Sequence, residues 1–188
     1  MDKISFQSRI RVTHLNEYGS VVSSFKKNAV KYPWTVKESV LANSAYTDLV
    51  YDCTVCGFTD GLKVLLLHIC PTIKENLNFK KIEDFIKSKI NLKNNENLQG
   101  FLLGSKKNLD VSPDSEKVFN FFEDLMEKYN IPFSKFKNSK DINYVAYSSV
   151  KDEWLIGNGD FNILKDNSSD FLKKHFEEVM LSEYDELA

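Results

Sequence analysis

The chain has 188 residues, a formal net charge of −2 and a pI near 6.0, so no strong electrostatic attraction to nucleic acid or to an anionic membrane is expected. Hydrophobic residues make up 42% and aromatic ones 13%, enough to bury the core of a single domain spanning 1–188 without disulfide staples. There is no apolar run of membrane-spanning length, and MDKISFQSRI lacks the apolar stretch of a signal peptide. Three cysteines are an odd number for a disulfide framework, and the combination predicts a cytoplasmic protein with free thiols.

Residues 4–14 alternate weakly through Ile4, Phe6, Ile10 and Val12, the pattern of an early strand. Residues 20–45 are ambiguous: Val21, Val22 and Phe25 are apolar, Pro33 breaks any long helix, and VKESVL fits a short helical turn. The clearest unit follows. YTDLVYDCTVCGF (46–58) and LKVLLLHICP (62–71) are β-rich runs joined at Asp60 and Gly61, which predicts a hairpin. NFKKIEDFIKSKI (78–90) sets Phe79, Ile82, Phe85, Ile86 and Ile90 at helical spacing. LQGFLLGS (98–105) reads as a buried strand. SEKVFNFFEDLMEKYN (115–130) reads as a helix capped by Ser112 or Asp114, with Val118, Phe121, Phe122, Leu125 and Tyr129 on one face. IPFSKFK (131–137) alternates as an edge strand, and NYVAYSSV (143–150) with EWLIGN (153–158) predicts a second hairpin. FLKKHFEEVML (171–181) is a final helix ahead of an acidic tail. This order predicts an α+β domain, a layered sandwich of mostly antiparallel sheets packed with two to three helices. Its core lies at about 45–158, with the C-terminal helix and tail at 169–188.

Reactive side chains concentrate in the first hairpin, where Cys53, Cys56, His68 and Cys70 lie; His14 and His175 are isolated. Cys53 and His68 flank the turn at comparable distances on opposite arms, within cross-strand reach in a favourable register. An imidazole beside a thiol lowers its pKa from about 8.5, restores the thiolate, and then serves as general acid. The same residues admit a packing reading, in which the thiol is a small buried hydrophobe and the histidine a core residue with one satisfied hydrogen bond. A third reading gathers Cys53, Cys56, His68 and Cys70 around zinc as a zinc-stabilised interaction module. A redox role for CTVC fits less well, because a strand pattern runs through it into a turn.

Thr47, Cys53 six residues on, and His68 beyond a turn resemble the Thr/Cys/His arrangement of the chemoreceptor glutamine deamidase family. The cytotoxic-necrotizing-factor-type and Burkholderia-lethal-factor-type toxins are its structural relatives. The downstream order is similar as well, with LQGFLLGS, the helix at 115–130 and an Ile-Pro strand, so that the resemblance spans residues 45–150. It implies an α/β sandwich in which Cys53 is the nucleophile, His68 stands on the neighbouring strand, and Thr47 orients its ring. It implies no metal or cofactor, and a protein substrate carrying a reactive glutamine as partner. Asp52 would border that substrate, and Tyr51, on the strand face of Cys53, would either wall the pocket or, as the plainer reading, simply pack. The family places Gly or Ser-Gly before its cysteine; the acid Asp52 stands there instead, and crowds substrate or raises the thiol pKa unless it faces away. Cys56 and Cys70 are read as spectators.

The implied reaction is hydrolysis of a glutamine side-chain amide, or transglutamination when an amine replaces water. The alternative is a catalytically inactive interaction module that keeps the fold. The tail, HFEEVMLSEYDELA, resembles the glutamate-rich C-terminal signal of type IV secretion substrates, which would make the protein a translocated effector. Its plainer reading is a solvated acidic helix end.

Overall fold

A computed structural model describes residues 8–93, 96–104, 113–137 and 142–159. In chain order the strands are β1 (Arg9–Val12), β2 (Val40–Ala42), β3 (Ser44–Thr47), β4 (Thr54–Thr59), β5 (Val64–Ile69), β6 (Gln99–Gly104), β7 (Phe133–Lys137), β8 (Tyr144–Ser148) and β9 (Glu153–Gly157). The α-helices are α1 (Tyr18–Phe25), α2 (Phe79–Lys89) and α3 (Ser115–Lys128). One sheet runs β1-β9-β8-β3 and the other β2-β5-β4-β6-β7. Pairing is antiparallel except for β1 with β9 and β6 with β7; α3 makes the crossover that the second parallel pair needs. This is the α+β sandwich that the element order predicts.

The two-residue period of the strands sorts side chains into layers. On the larger sheet Val55, Val64, Leu66, Phe101 and Leu103 face Ala45, Val145, Tyr147, Trp154 and Ile156 of the smaller one, forming the inter-sheet core. The alternate positions Cys56, Phe58, Leu65, Leu67 and Ile69 face Ile82 and Ile86 of α2 and Val118, Phe122 and Met126 of α3. On the far side, Tyr18, Val21 and Val22 of α1 cover Tyr46, Tyr144, Ala146 and Leu155. Each large side chain so buried contributes about 1.5–3 kcal/mol. Close approach of the sheets depends on Gly57, since a Cβ there would collide with the Trp154 indole.

Helix ends follow local chemistry. The Asn78 side chain accepts the Lys81 N–H (3.2 Å) and starts α2. Asn130, in the left-handed region at φ +53°, ends α3, and the Ile131 N–H returns to the Met126 carbonyl (2.9 Å). Asp114 is the N-cap residue of α3 but makes no side-chain cap; its carboxylate pairs with Lys117 instead.

One expectation is corrected. The run 46–58 is not a single hairpin arm: Tyr46 and Thr47 belong to β3 of the other sheet, and β4 begins only at Thr54. The intervening loop is pinned to the smaller sheet, because Asp48 accepts the Tyr18 and Tyr46 hydroxyls and the Val50 N–H reaches the Asn143 carbonyl (2.9 Å). Leu49, at φ +58°, turns the chain there. The ambiguous stretch holds α1, a short 3-10 turn at Val36–Glu38 and the short strand β2. The expected helix at 171–181, His175, the acidic tail and Ser112 lie outside the described residues. Among the described residues no helix is long and apolar enough to cross a membrane.

Candidate active site

The β4–β5 register is set at its turn. Asp60 Oδ1 accepts the N–H groups of Leu62 and Lys63, both at 3.0 Å, while Gly61 takes φ +86°. Thr59 then pairs with Val64, Val55 with His68 and Thr54 with Ile69. Cys53 precedes the paired strand by one residue and Val55 by two, so it shares the inter-sheet face with His68 on a diagonal, and its side chain packs into the inter-sheet core. Diagonal neighbours are about 7–8 Å apart, within reach of long or aromatic side chains, and no hydrogen bond joins His68 Nε2 to the Cys53 thiol. Gly104 closes the other flank: it sits at φ +151°, and a Cβ there would lie 2.7 Å from the Cys53 carbonyl oxygen.

His68 is anchored from the opposite sheet. Thr47 Oγ1 on β3 hydrogen-bonds its Nδ1 at 2.6 Å, a contact that spans the sandwich interior. The ring also lies flat on the Trp34 indole, with centroids 4.5 Å apart and planes 5° from parallel. Its Nε2 has no hydrogen-bond partner among the described residues. Complete burial pushes the imidazole pKa down to about 3, against the opposing pull of the Asp48 charge, so the ring is neutral at pH 7. Asp48 directly follows Thr47 and is itself buried, with its Oδ2 accepting the Tyr18 hydroxyl at 3.1 Å and the Tyr46 hydroxyl. Burial first, and the Asp48 charge second, push both phenols well above their ordinary pKa and keep them protonated donors.

The structure therefore brings Thr47 and His68 into contact and places Cys53 on their side of the sheet. Tyr51 is placed differently from expectation: it lies in a bend rather than on the strand face of Cys53, and is 48% exposed. Asp52 is half-buried, and its carbonyl accepts the Ser115 hydroxyl at the start of α3 (2.6 Å), which ties the residue before Cys53 to that helix. Cys56, three residues from Cys53, faces the helices, and burial pushes its thiol pKa up. Cys70 is half-buried, with its Sγ 3.0 Å from Thr72 Oγ1. Because Cys53 and Cys56 occupy opposite faces, the four residues of the zinc reading do not converge, and no metal-ligating cluster forms among the described residues.

Trp34 is the neighbour that sequence reasoning missed. Its one local signal is a tryptophan directly after Tyr32-Pro33 in a polar stretch. Surface clefts of about 400 Å³, at Lys87–Lys93 and Tyr129, and about 320 Å³, beside Arg11 and Lys151, are not lined by Thr47, Cys53 or His68. No model of a known protein family matches the chain, and no curated protein matches it.

Proposed function

We propose that the protein is a cysteine-dependent amidohydrolase that deamidates a glutamine side chain of a protein substrate. The supporting observation is His68, held at Nδ1 by Thr47 and left with an open Nε2 on the face it shares with Cys53. A neutral imidazole is the form that accepts a proton. One whose pKa burial holds at about 3 is a weak base, so the scheme needs the opening that admits substrate to relieve that burial and raise the pKa. His68 takes the Cys53 thiol proton as Sγ attacks the carboxamide carbon, and the carbonyl electron pair moves to oxygen. Collapse of this adduct breaks the C–N bond, and ammonia leaves with the proton from His68. Water, deprotonated by His68, then attacks the thioester, the C–S bond breaks, and the proton returns to Sγ. Amide and water become carboxylate and ammonia; an amine in place of water gives transglutamination. Asp48 favours the imidazolium that forms in passing. Thr47 is a positioning residue in this scheme.

Cys53 is only 5% exposed and His68 is fully buried, so a substrate side chain reaches them only if covering residues move aside. The same burial favours a second reading, an interaction domain that retains the arrangement without turnover. Ammonia release from casein, with Cys53→Ala and His68→Ala as controls, separates the two. The expected result is ammonia that depends on both residues, together with alkylation of Cys53 by iodoacetamide ahead of Cys56. A folded protein whose Cys53 labels no faster than Cys56, and which releases no ammonia, would establish the inactive domain. The glutamate-rich tail supports delivery by a type IV secretion system, tested by a translocation reporter fused ahead of residues 1–188 with and without 176–188.

A further inference from the structure

We propose that Trp34 is a positioning residue for His68, its indole fixing the imidazole plane while Thr47 fixes one ring nitrogen. The inference rests on the reading of His68 as proton carrier. A single hydrogen bond to Nδ1 holds one atom and leaves the ring free to tilt about it. The flat stack at 4.5 Å and 5° removes that tilt and shields one face of the ring from water. With both constraints in place, Nε2 has one direction in which to point.

Trp34 is itself held with unusual care. Its φ of +55° lies in the left-handed region, which a bulky side chain rarely adopts and which persists only where the surroundings enforce it. Here the enforcement is visible. The Trp34 carbonyl accepts the Cys70 N–H (3.1 Å) and the Asn76 side-chain amide (3.1 Å), and the same amide nitrogen donates to the Cys70 carbonyl (2.7 Å). Cys70 stands two residues beyond His68, so the strand end that carries the imidazole also carries the clamp for the ring stacked on it. Asn76 is 1% exposed, a buried amide given over to this clamp. Tyr32 meets the Trp34 indole edge-on, with centroids 5.4 Å apart and planes at 77°. An indole neither gives nor takes the reaction's proton, but its electron-rich face favours the imidazolium once it forms.

The test compares wild type with Trp34→Leu, Trp34→Phe and Asn76→Ala, the last leaving the indole present with a weakened clamp should Trp34→Leu fail to fold. The readouts are the ¹⁵N signature of the His68 ring, the iodoacetamide rate at Cys53, and ammonia release from casein. Wild type and Trp34→Phe are expected to show one fixed tautomer. Trp34→Leu and Asn76→Ala are expected to show averaged ring nitrogens, with kcat down by about 10²-fold in Trp34→Leu at an unchanged KM. A folded Trp34→Leu or Asn76→Ala protein with the wild-type ¹⁵N signature would overturn the proposal, as would a Trp34→Phe variant as impaired as Trp34→Leu. If wild type releases no ammonia, the deamidase reading fails while the ¹⁵N comparison still decides whether Trp34 holds the ring.

Discussion

Cys53, in the bend just before β4, and Cys56, within β4, lie three residues apart and enter different environments. Cys56 sits among Phe58, Leu65, Leu67 and the apolar faces of α2 and α3, where burial alone acts on its thiol and raises its pKa. Cys53 faces the other sheet, at the end where Thr47, Asp48 and His68 are gathered. The two faces of the larger sheet separate an inert thiol from a candidate nucleophile. Both layers bury large apolar side chains, and the site end of the inter-sheet layer also carries the buried polar groups Thr47, Asp48 and His68.

The helix-facing side should give the largest stability losses. Phe122→Ala empties a fully buried position against the larger sheet and is expected to cost about 3–5 kcal/mol in urea unfolding. The rate at which iodoacetamide labels Cys53 in the remaining folded protein should be unchanged. A matching fall in that rate would show the two sides to be coupled.

The inter-sheet side should announce itself in acid. The His68 pKa is near 3 when folded and near its ordinary 6.5 when unfolded, so between those values the unfolded chain binds a proton that the folded chain refuses. Stability is therefore complete above about pH 6.5 and falls with pH below it, by up to about 1.4 kcal/mol per unit from this group. Glu83, held down to about 2 chiefly by Lys87 and Lys128, adds a loss of the same sign at lower pH. The contribution of His68 is the difference in urea midpoint against pH between wild type and a variant lacking the imidazole. A wild-type profile that coincides with the variant's between pH 4 and 6 would mean that the ring is solvated.

Thr47→Val is a smaller change on the same side. It removes the partner of Nδ1 and leaves a second buried ring nitrogen unsatisfied, at a cost of about 1–3 kcal/mol in urea unfolding. A loss below about 0.5 kcal/mol would indicate that water or a rotated ring replaces the threonine.

What the sequence disclosed follows the same division. The apolar faces of α2 and α3, the β4–β5 turn at Asp60 and Gly61, and the β8–β9 hairpin were legible because each is a local pattern with a short-range cause. The break at Asp48 was not: β-propensity runs on through Leu49 and Val50, and nothing local tells that Tyr46 and Thr47 pair with β8 rather than continue β4. No local pattern brings Thr47 to His68, because the contact joins strands of different sheets 21 residues apart. Trp34 escaped because its stack depends on a left-handed backbone and on Asn76, which lies 42 residues further on.

The smallest expected stability change is the most discriminating. Thr47→Val combined with His68→Leu removes both partners of one buried hydrogen bond and puts apolar groups of similar volume in their place. Deleting a pair in this way leaves no orphaned polar atom, so the net change should lie within about 1 kcal/mol of wild type, in either direction. The acid slope assigned to His68 should vanish in the same protein. Ammonia release and the preferential alkylation of Cys53 should vanish with it, although fold and thiol are intact. If the double variant instead unfolds as readily as Phe122→Ala, the Thr47–His68 contact across the sheets is structural, and its polarity has no need of chemistry to explain it.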